Sequence, residues 1–233
     1  SSLRARVLHE DDAMIVIDKP EGLAVQGGSG QRRNLDDMLV ALVPAGAEKP
    51  RLVHRLDKDT SGVLVLARSA STARHLTRAF RDKATRKIYW ALVVGSPDPA
   101  EGRIDMALLK RTGAHGEQVM PDAAAGKPAR TDYRTIGGAG GRLSWLELQP
   151  LTGRTHQIRV HCAAGMGTPI LGDGKYGGQG AFVGDTFKKC LHLHARAIEV
   201  PHPSGGVLRC VAPPPAHMLA AFAALGIDWS DEA

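Results

Sequence analysis

The chain has 233 residues, 43% hydrophobic and 23% charged, with 30 Lys and Arg against 24 Asp and Glu for a net charge of +6. That length suits one substantial core, or one domain of two lobes, and the composition is that of an ordinary globular protein. No apolar run approaches the ~18 residues of a membrane helix, no signal-peptide core follows the first residues, and three scattered cysteines without a CxxC pair argue against a zinc ribbon or redox motif. The thiols read as those of a reducing compartment, hence the cytoplasm. A pI of about 9.4 favours a polyanionic partner.

In chain order, Leu8 to Pro20 reads as a polar turn followed by a strand buried on both faces, Met14-Ile15-Val16-Ile17. Lys19-Pro20-Glu21-Gly22 stops it. Gly27-Gly28-Ser29-Gly30 then forms either a flexible turn or a backbone cradle for phosphate. Leu35, Met38, Leu39 and Leu42 have helical spacing over Leu35 to Val43, with Asn34 as N-cap. Ser69 or Ser71 caps a second helix running to about Lys83, with the apolar stripe Ala73, Leu76 and Phe80 and arginines elsewhere on its surface.

Strands are expected at Ile88 to Val94 and near Arg103–Leu108, Arg130–Ile136, Leu143–Gln149, Leu191–Val200 and Val207–Val211. Thr155 to Ala164 reads as helix, as does Pro215 to Leu225, whose proline costs nothing near the first turn. The glycine-rich Gly165–Lys189 is long for a mere connector, which marks it as functional. Many strands with few interleaved helices predict an α+β domain with a largely antiparallel sheet. No internal repeat or linker divides the chain.

The most informative segment is His54-Arg55-Leu56-Asp57-Lys58-Asp59-Thr60-Ser61-Gly62. It is a charged turn between the apolar runs Leu52-Val53 and Val63-Leu64-Val65-Leu66-Ala67, and rigid strand ends are where catalytic groups are placed. Several common motifs are absent. There is no GxxxxGK[ST], no GxGxxG after a strand, no HExxH and no nucleophile elbow. Arg55 and Asp57 are also not the Arg-Asp pair of a kinase catalytic loop. From the residues alone, Asp57 is either half of a surface ion pair or a carboxylate held charged by nearby cations, able to act on a sugar carbon. Tyr89 is either a core tyrosine or a ring for stacking on a base. Among the histidines, His192 and His194 share a strand face, and His156 and His161 lie nearby in sequence. No acidic or cysteine partner stands at ligand spacing, so no metal site is expected.

The His54–Gly62 string closely resembles the signature of the RluA family of pseudouridine synthases. Val16-Ile17-Asp18-Lys19-Pro20-Glu21-Gly22 resembles its lysine-proline motif, and Lys87-Ile88-Tyr89-Trp90-Ala91 its tyrosine segment. Thr152-Gly153-Arg154-Thr155-His156-Gln157-Ile158-Arg159-Val160-His161 resembles its arginine motif. Pro169-Ile170-Leu171-Gly172-Asp173, Tyr176-Gly177 and Leu193-His194-Ala195 complete a pattern that spans roughly Val7 to Pro213.

The resemblance implies a pseudouridine synthase fold: a mixed, mostly antiparallel central sheet flanked by helices and loops, with a central RNA-binding cleft. It implies one catalytic domain over residues 1–233, with the N-terminal S4-type RNA-binding domain of many members absent from this chain, either truncated away or lacking in the protein. The implied reaction is isomerisation of uridine to pseudouridine in RNA without a cofactor, by a monomer with no membrane partner. Asp57 would attack C1′ or remove the C2′ proton. Tyr89 would stack on the flipped base and assist loss of the C5 proton, and Arg159 would hold Asp57 through a bidentate pair. His54, Arg55, Thr60, Arg154 and Ile158 would bind substrate. Ile158 would wall the base, and Arg55 would either fill the gap left by the flipped nucleotide or contact phosphate. The Gly-Gly-Ser-Gly segment resembles the branch that modifies large-subunit ribosomal RNA. Gln26 and Thr168 stand where histidine is frequent.

Overall fold

Four consecutive apolar residues at Met14–Ile17 have nowhere to go but a core, and they form strand β2 (Met14–Lys19), fully buried across those four. In the computed structural model, which describes residues 2–27, 34–113 and 116–230, β2 pairs antiparallel with β1 (Val7–Glu10) and with β4 (Ser61–Ala67). The expected polar turn at Leu8 is thus a strand. Leu8 packs against the core while Glu10 is exposed, a half-buried edge whose polar content masks it in sequence. Gly28, Ser29 and Gly30 of the expected turn or cradle lie outside the described residues.

The chain divides into two compact units, Ser1–Lys87 with His194–Pro215, and Ile88–Leu193 with Ala216–Ala233. In the first, the strand order is β1-β2-β4-β11, with β11 spanning Leu193–Pro201. The short β3 (Arg51–Leu52) adds to β4, and β12 (Val207–Val211) adds to β11. Strands β4 and β11 run parallel. Helix α1 (Leu35–Met38) starts at Asn34, whose side chain accepts the Asp37 N–H, and continues as a 3₁₀ turn to Leu42. Helix α2 (Ala70–Arg81) starts at Ser69, whose hydroxyl accepts the Thr72 N–H. Its Leu76, Ala73 and Phe80 pack on Val63 and Val65 of β4.

In the second unit, β5 (Arg86–Val94), β10 (Leu143–Pro150), β9 (Arg130–Ala139) and β6 (Glu101–Asp105) form an antiparallel series in that order. Strand β6 ends before Met106, earlier than expected, and the chain resumes as β7 (Leu108–Gly113), which pairs with β8 (Gly116–Pro121). The sequence gives no sign of this ribbon because it buries little more than Leu108 and Val119. Without apolar alternation, its polar residues read as loop.

The expected helix at Thr155–Ala164 is shorter. It is α3 (Gln157–Val160), followed by a wider π turn over His161–Gly165. The glycine-rich segment holds only α4 (Gly174–Gly177) and a 3₁₀ turn. Helix α5 (Ala216–Leu225) begins directly after Pro215. It packs Phe222 against Trp145 at 4.9 Å between ring centroids, and Trp145 meets Trp90 edge-on at 4.8 Å. Aromatic clusters of this kind dominate core energetics. Phe222→Ala is expected to lower stability by about 3–5 kcal/mol in denaturant unfolding.

Candidate functional site

The His54–Gly62 segment hangs from β4, which is buried along all seven of its residues. Strand β3 stops at Leu52, opposite Leu66, so the Val65 N–H has lost its strand partner. His54 supplies one: its Nε2 accepts the Val65 N–H at 2.8 Å, and its ring stacks on Phe80 of α2 at 4.5 Å. Accepting through Nε2 places the ring proton on Nδ1. Burial, with the nearby Lys87 charge adding to it, pushes the His54 pKa down to about 3. Expected from sequence among the substrate-binding residues, His54 here supports the turn.

The turn closes where the Thr60 N–H donates to the Asp57 carbonyl at 3.1 Å. Asp57 is half-buried, Thr60 buried and Arg55 exposed. Beneath them lies Lys19, fully buried at the end of β2 and in register with Gly62. Its ammonium donates to the carbonyls of Pro20 and Leu23 at 2.9 Å and of Lys58 at 3.0 Å. All three protons are thereby satisfied, and the third bond ties the residue after Asp57 to the loop that ends β2. Burial lowers the Lys19 pKa to about 8, while Asp59, Asp57, Glu21 and Asp18 pull it back up. Lys19 lies in a motif matched from sequence, but the sequence assigns it no task.

The far end of the segment is equally fixed. Ser61 Oγ lies 2.8 Å from His194 Nδ1, and His194 Nε2 lies 3.2 Å from the Ala212 carbonyl. The carbonyl can only accept, so Nε2 carries the proton and Nδ1 accepts from Ser61. Gly62 sits at φ +112°, where a Cβ would stand 2.2 Å from the Ala195 carbonyl oxygen. Only glycine lets β4 and β11 approach here.

The second unit holds the remaining expected residues. Gln157 opens α3 with every side-chain position used. Its Oε1 accepts from the Thr152 hydroxyl at 2.7 Å and the Arg154 N–H at 3.0 Å. Its Nε2 donates to the Arg130 carbonyl at 2.8 Å and Thr131 Oγ1 at 3.0 Å. His156 precedes it in the left-handed region at φ +51°, with Nδ1 2.6 Å from the Tyr176 hydroxyl.

Arg159 is only 8% exposed, so it is not a helix-surface arginine. Its Nε and Nη2 donate to the two oxygens of buried Asp173 at 2.9 and 2.7 Å, a bidentate fork, and its Cζ lies 5.0 Å from the Tyr176 ring centroid. Asp173, which the sequence marks only as the end of a motif, takes this fork and also accepts the Tyr176 N–H at 3.3 Å. Ile158 and Tyr89 meet in one apolar cluster with Ala91, Leu146, Leu148, Cys162 and Ile170. Arg154 is exposed, its Nε on the Pro128 carbonyl at 3.1 Å. Each unit therefore sets charged groups on buried, fully hydrogen-bonded supports, an arrangement suited to polar chemistry on a precisely oriented substrate.

Residues 13–164 match the RNA pseudouridylate synthase family. The chain is 38% identical to RNA pseudouridine synthase 4, mitochondrial, of Arabidopsis thaliana, over 84% of this chain and 51% of that protein. It is 38% identical to ribosomal large subunit pseudouridine synthase C of Vibrio parahaemolyticus, over 88% of this chain and 64% of that one. Among solved structures, human RNA pseudouridylate synthase domain containing 4 superposes with a TM-score of 0.83 at 30% identity, covering 97% of this chain and 95% of that one. The chain belongs to the RNA pseudouridylate synthase family. It spans about half the length of the Arabidopsis relative.

The supports have a pH signature. The folded state holds His54 neutral down to about pH 3, whereas an unfolded His takes up a proton near the ordinary value of 6.5. Stability from this group is thus complete above about pH 6.5 and drains away as pH falls toward 3. Thermal unfolding between pH 7 and 4 is expected to show a shallower acid loss in His54→Gln, which keeps an acceptor for Val65 without titrating.

Proposed function

We propose that this chain isomerises specific uridines to pseudouridine in RNA, with large-subunit ribosomal RNA as the substrate. The observation that carries this reading is the intact Asp57 turn, with Lys19 saturated beneath it and Gly62 locking its strand. In the proposed reaction, Asp57 acts at the sugar of an extruded uridine, by attack at C1′ or removal of the C2′ proton. The N-glycosidic bond breaks, the uracil turns, C5 bonds to C1′ as the carboxylate leaves C1′ or returns the proton to C2′, and the C5 proton is lost to solvent as N1 gains one. The family resemblance assigns Tyr89 to the base, Ile158 to its apolar wall and Arg159 to the charge of Asp57.

Family membership over residues 13–164 supports the reaction class, and the name of the Vibrio relative supports the ribosomal substrate. The surface of the first unit supports a polyanionic partner. Arg51, Arg74, Arg78 and Arg81 line a shallow groove along α2, and all four are exposed. Guanidinium groups on an exposed helix face suit phosphate contacts.

The test is tritium release from RNA labelled at uracil C5, run on large-subunit ribosomal RNA and on tRNA. Release from the ribosomal RNA that vanishes in Asp57→Asn supports the proposal. Release from tRNA alone would reassign the substrate, and free uracil as product would mean hydrolysis. Binding without release would leave an RNA-binding assembly factor. A second expectation concerns α2. Arg74→Glu with Arg78→Glu should weaken RNA binding across sequences and make its salt dependence shallower, by roughly one unit of log–log slope per lost phosphate contact.

A further inference from the structure

Cys190, His192 and His217 fall into one cluster in the second unit, with one donor atom from each within 4.8 Å of those of the other two. The sequence hides it. Cys190 stands two residues before His192, and His217 arrives from α5, far away in sequence. His192 directly precedes β11, and His194 on that strand turns to Ser61 and Ala212.

His192 is the informative member. It is fully buried, and its Nδ1 lies 2.9 Å from the Cys190 carbonyl and 3.2 Å from the Leu171 carbonyl. Both oxygens can only accept, so Nδ1 carries the proton and the Nε2 lone pair is left over. Nε2 is buried with no hydrogen-bond partner, an arrangement that costs free energy unless something occupies it. A ring fixed by Nδ1–H on a backbone carbonyl, with Nε2 bare, is how proteins present histidine to a metal. Burial, and next the neighbouring His217, lower the His192 pKa to about 4, so the ring is neutral at physiological pH.

The backbone around it is built to hold still. A Cβ on Gly172, at φ +82°, would stand 1.8 Å from the Cys190 carbonyl oxygen, so this position must be glycine for the Cys190 segment to pack where it does. The His192 N–H also donates to the Leu171 carbonyl at 3.0 Å.

We propose that Cys190, His192 and His217 form a Cys-His-His site for a divalent metal of the zinc class. Tetrahedral coordination with these ligands needs donor separations of roughly 3.5 Å, so small side-chain rotations from the observed cluster suffice. Cys190 is half-exposed, which leaves a solvent-facing side for a water as fourth ligand. The bound ion would tie the segment before β11 to the first turn of α5 and stabilise the second unit.

The experiment uses the whole chain, stripped with a chelator under reducing conditions and titrated with Co²⁺. One equivalent should bind with the intense visible bands of four-coordinate cobalt and a near-ultraviolet thiolate charge-transfer band. That band should vanish in Cys190→Ser, with circular dichroism confirming the fold, and His217→Ala should weaken binding by more than about 100-fold. No stoichiometric binding, or a charge-transfer band that survives Cys190→Ser, would overturn the proposal. X-ray absorption at the zinc edge of the zinc-loaded wild type reads the same ligand set without a variant. One sulfur with two imidazoles supports the site, and a shell of oxygen and nitrogen only refutes it.

Discussion

A fully buried ammonium sets the geometry of the first unit. Taking Lys19 out of water costs several kcal/mol unless every proton finds an acceptor. The carbonyls of Pro20, Leu23 and Lys58 meet that demand together, and losing any one would leave a charged donor unsatisfied. The end of β2, the loop after it and the Asp57 turn therefore cannot shift independently. Strand β4 is locked from its other side by Gly62 against Ala195 and by Ser61 on His194. The proposed action of Asp57 at one sugar carbon would benefit from such a frame, since misplacement by about 1 Å can cost 100-fold in rate.

The second unit follows the same physics with different residues. Asp173 takes the Nε–Nη2 edge of Arg159 with both oxygens while capping α4, and Gln157 spends both ends of its amide on fixed backbone and hydroxyl partners. Buried polar networks of this kind are stable only when complete, and a single truncation leaves the surviving partner uncompensated. The Thr152–His161 motif is thus conformational as much as chemical. Most of its hydrogen bonds hold α3 in place, and Arg159 is the charge that this scaffold carries.

Much of the fold was legible because short-range signals were strong. The apolar run of β2, the caps at Asn34 and Ser69, and the stripe Ala73, Leu76 and Phe80 each have a local cause. The β7–β8 ribbon was not legible, because two strands that bury little more than Leu108 and Val119 carry no period to read. The candidate residues stood out as motifs, but their supports did not. A lysine ending a strand reads as exposed, and nothing in sequence reveals that Lys19 meets Lys58, that His54 replaces a strand partner, or that Asp173 answers Arg159. These are long-range pairings created by the fold, and burial alone gives them their energetic weight.

The central claim is that the Lys19 charge organises the Asp57 turn for catalysis. It is tested most directly by the pH dependence of single-turnover pseudouridine formation. Burial sets the Lys19 pKa at about 8, so the ammonium is intact below that pH and lost above it. The account predicts a rate that is level up to about pH 8, falls beyond it, and loses this alkaline limb in Lys19→Met, whose residual activity is low throughout. A wild-type rate that stays level to about pH 10, where an ordinary lysine titrates, would contradict it.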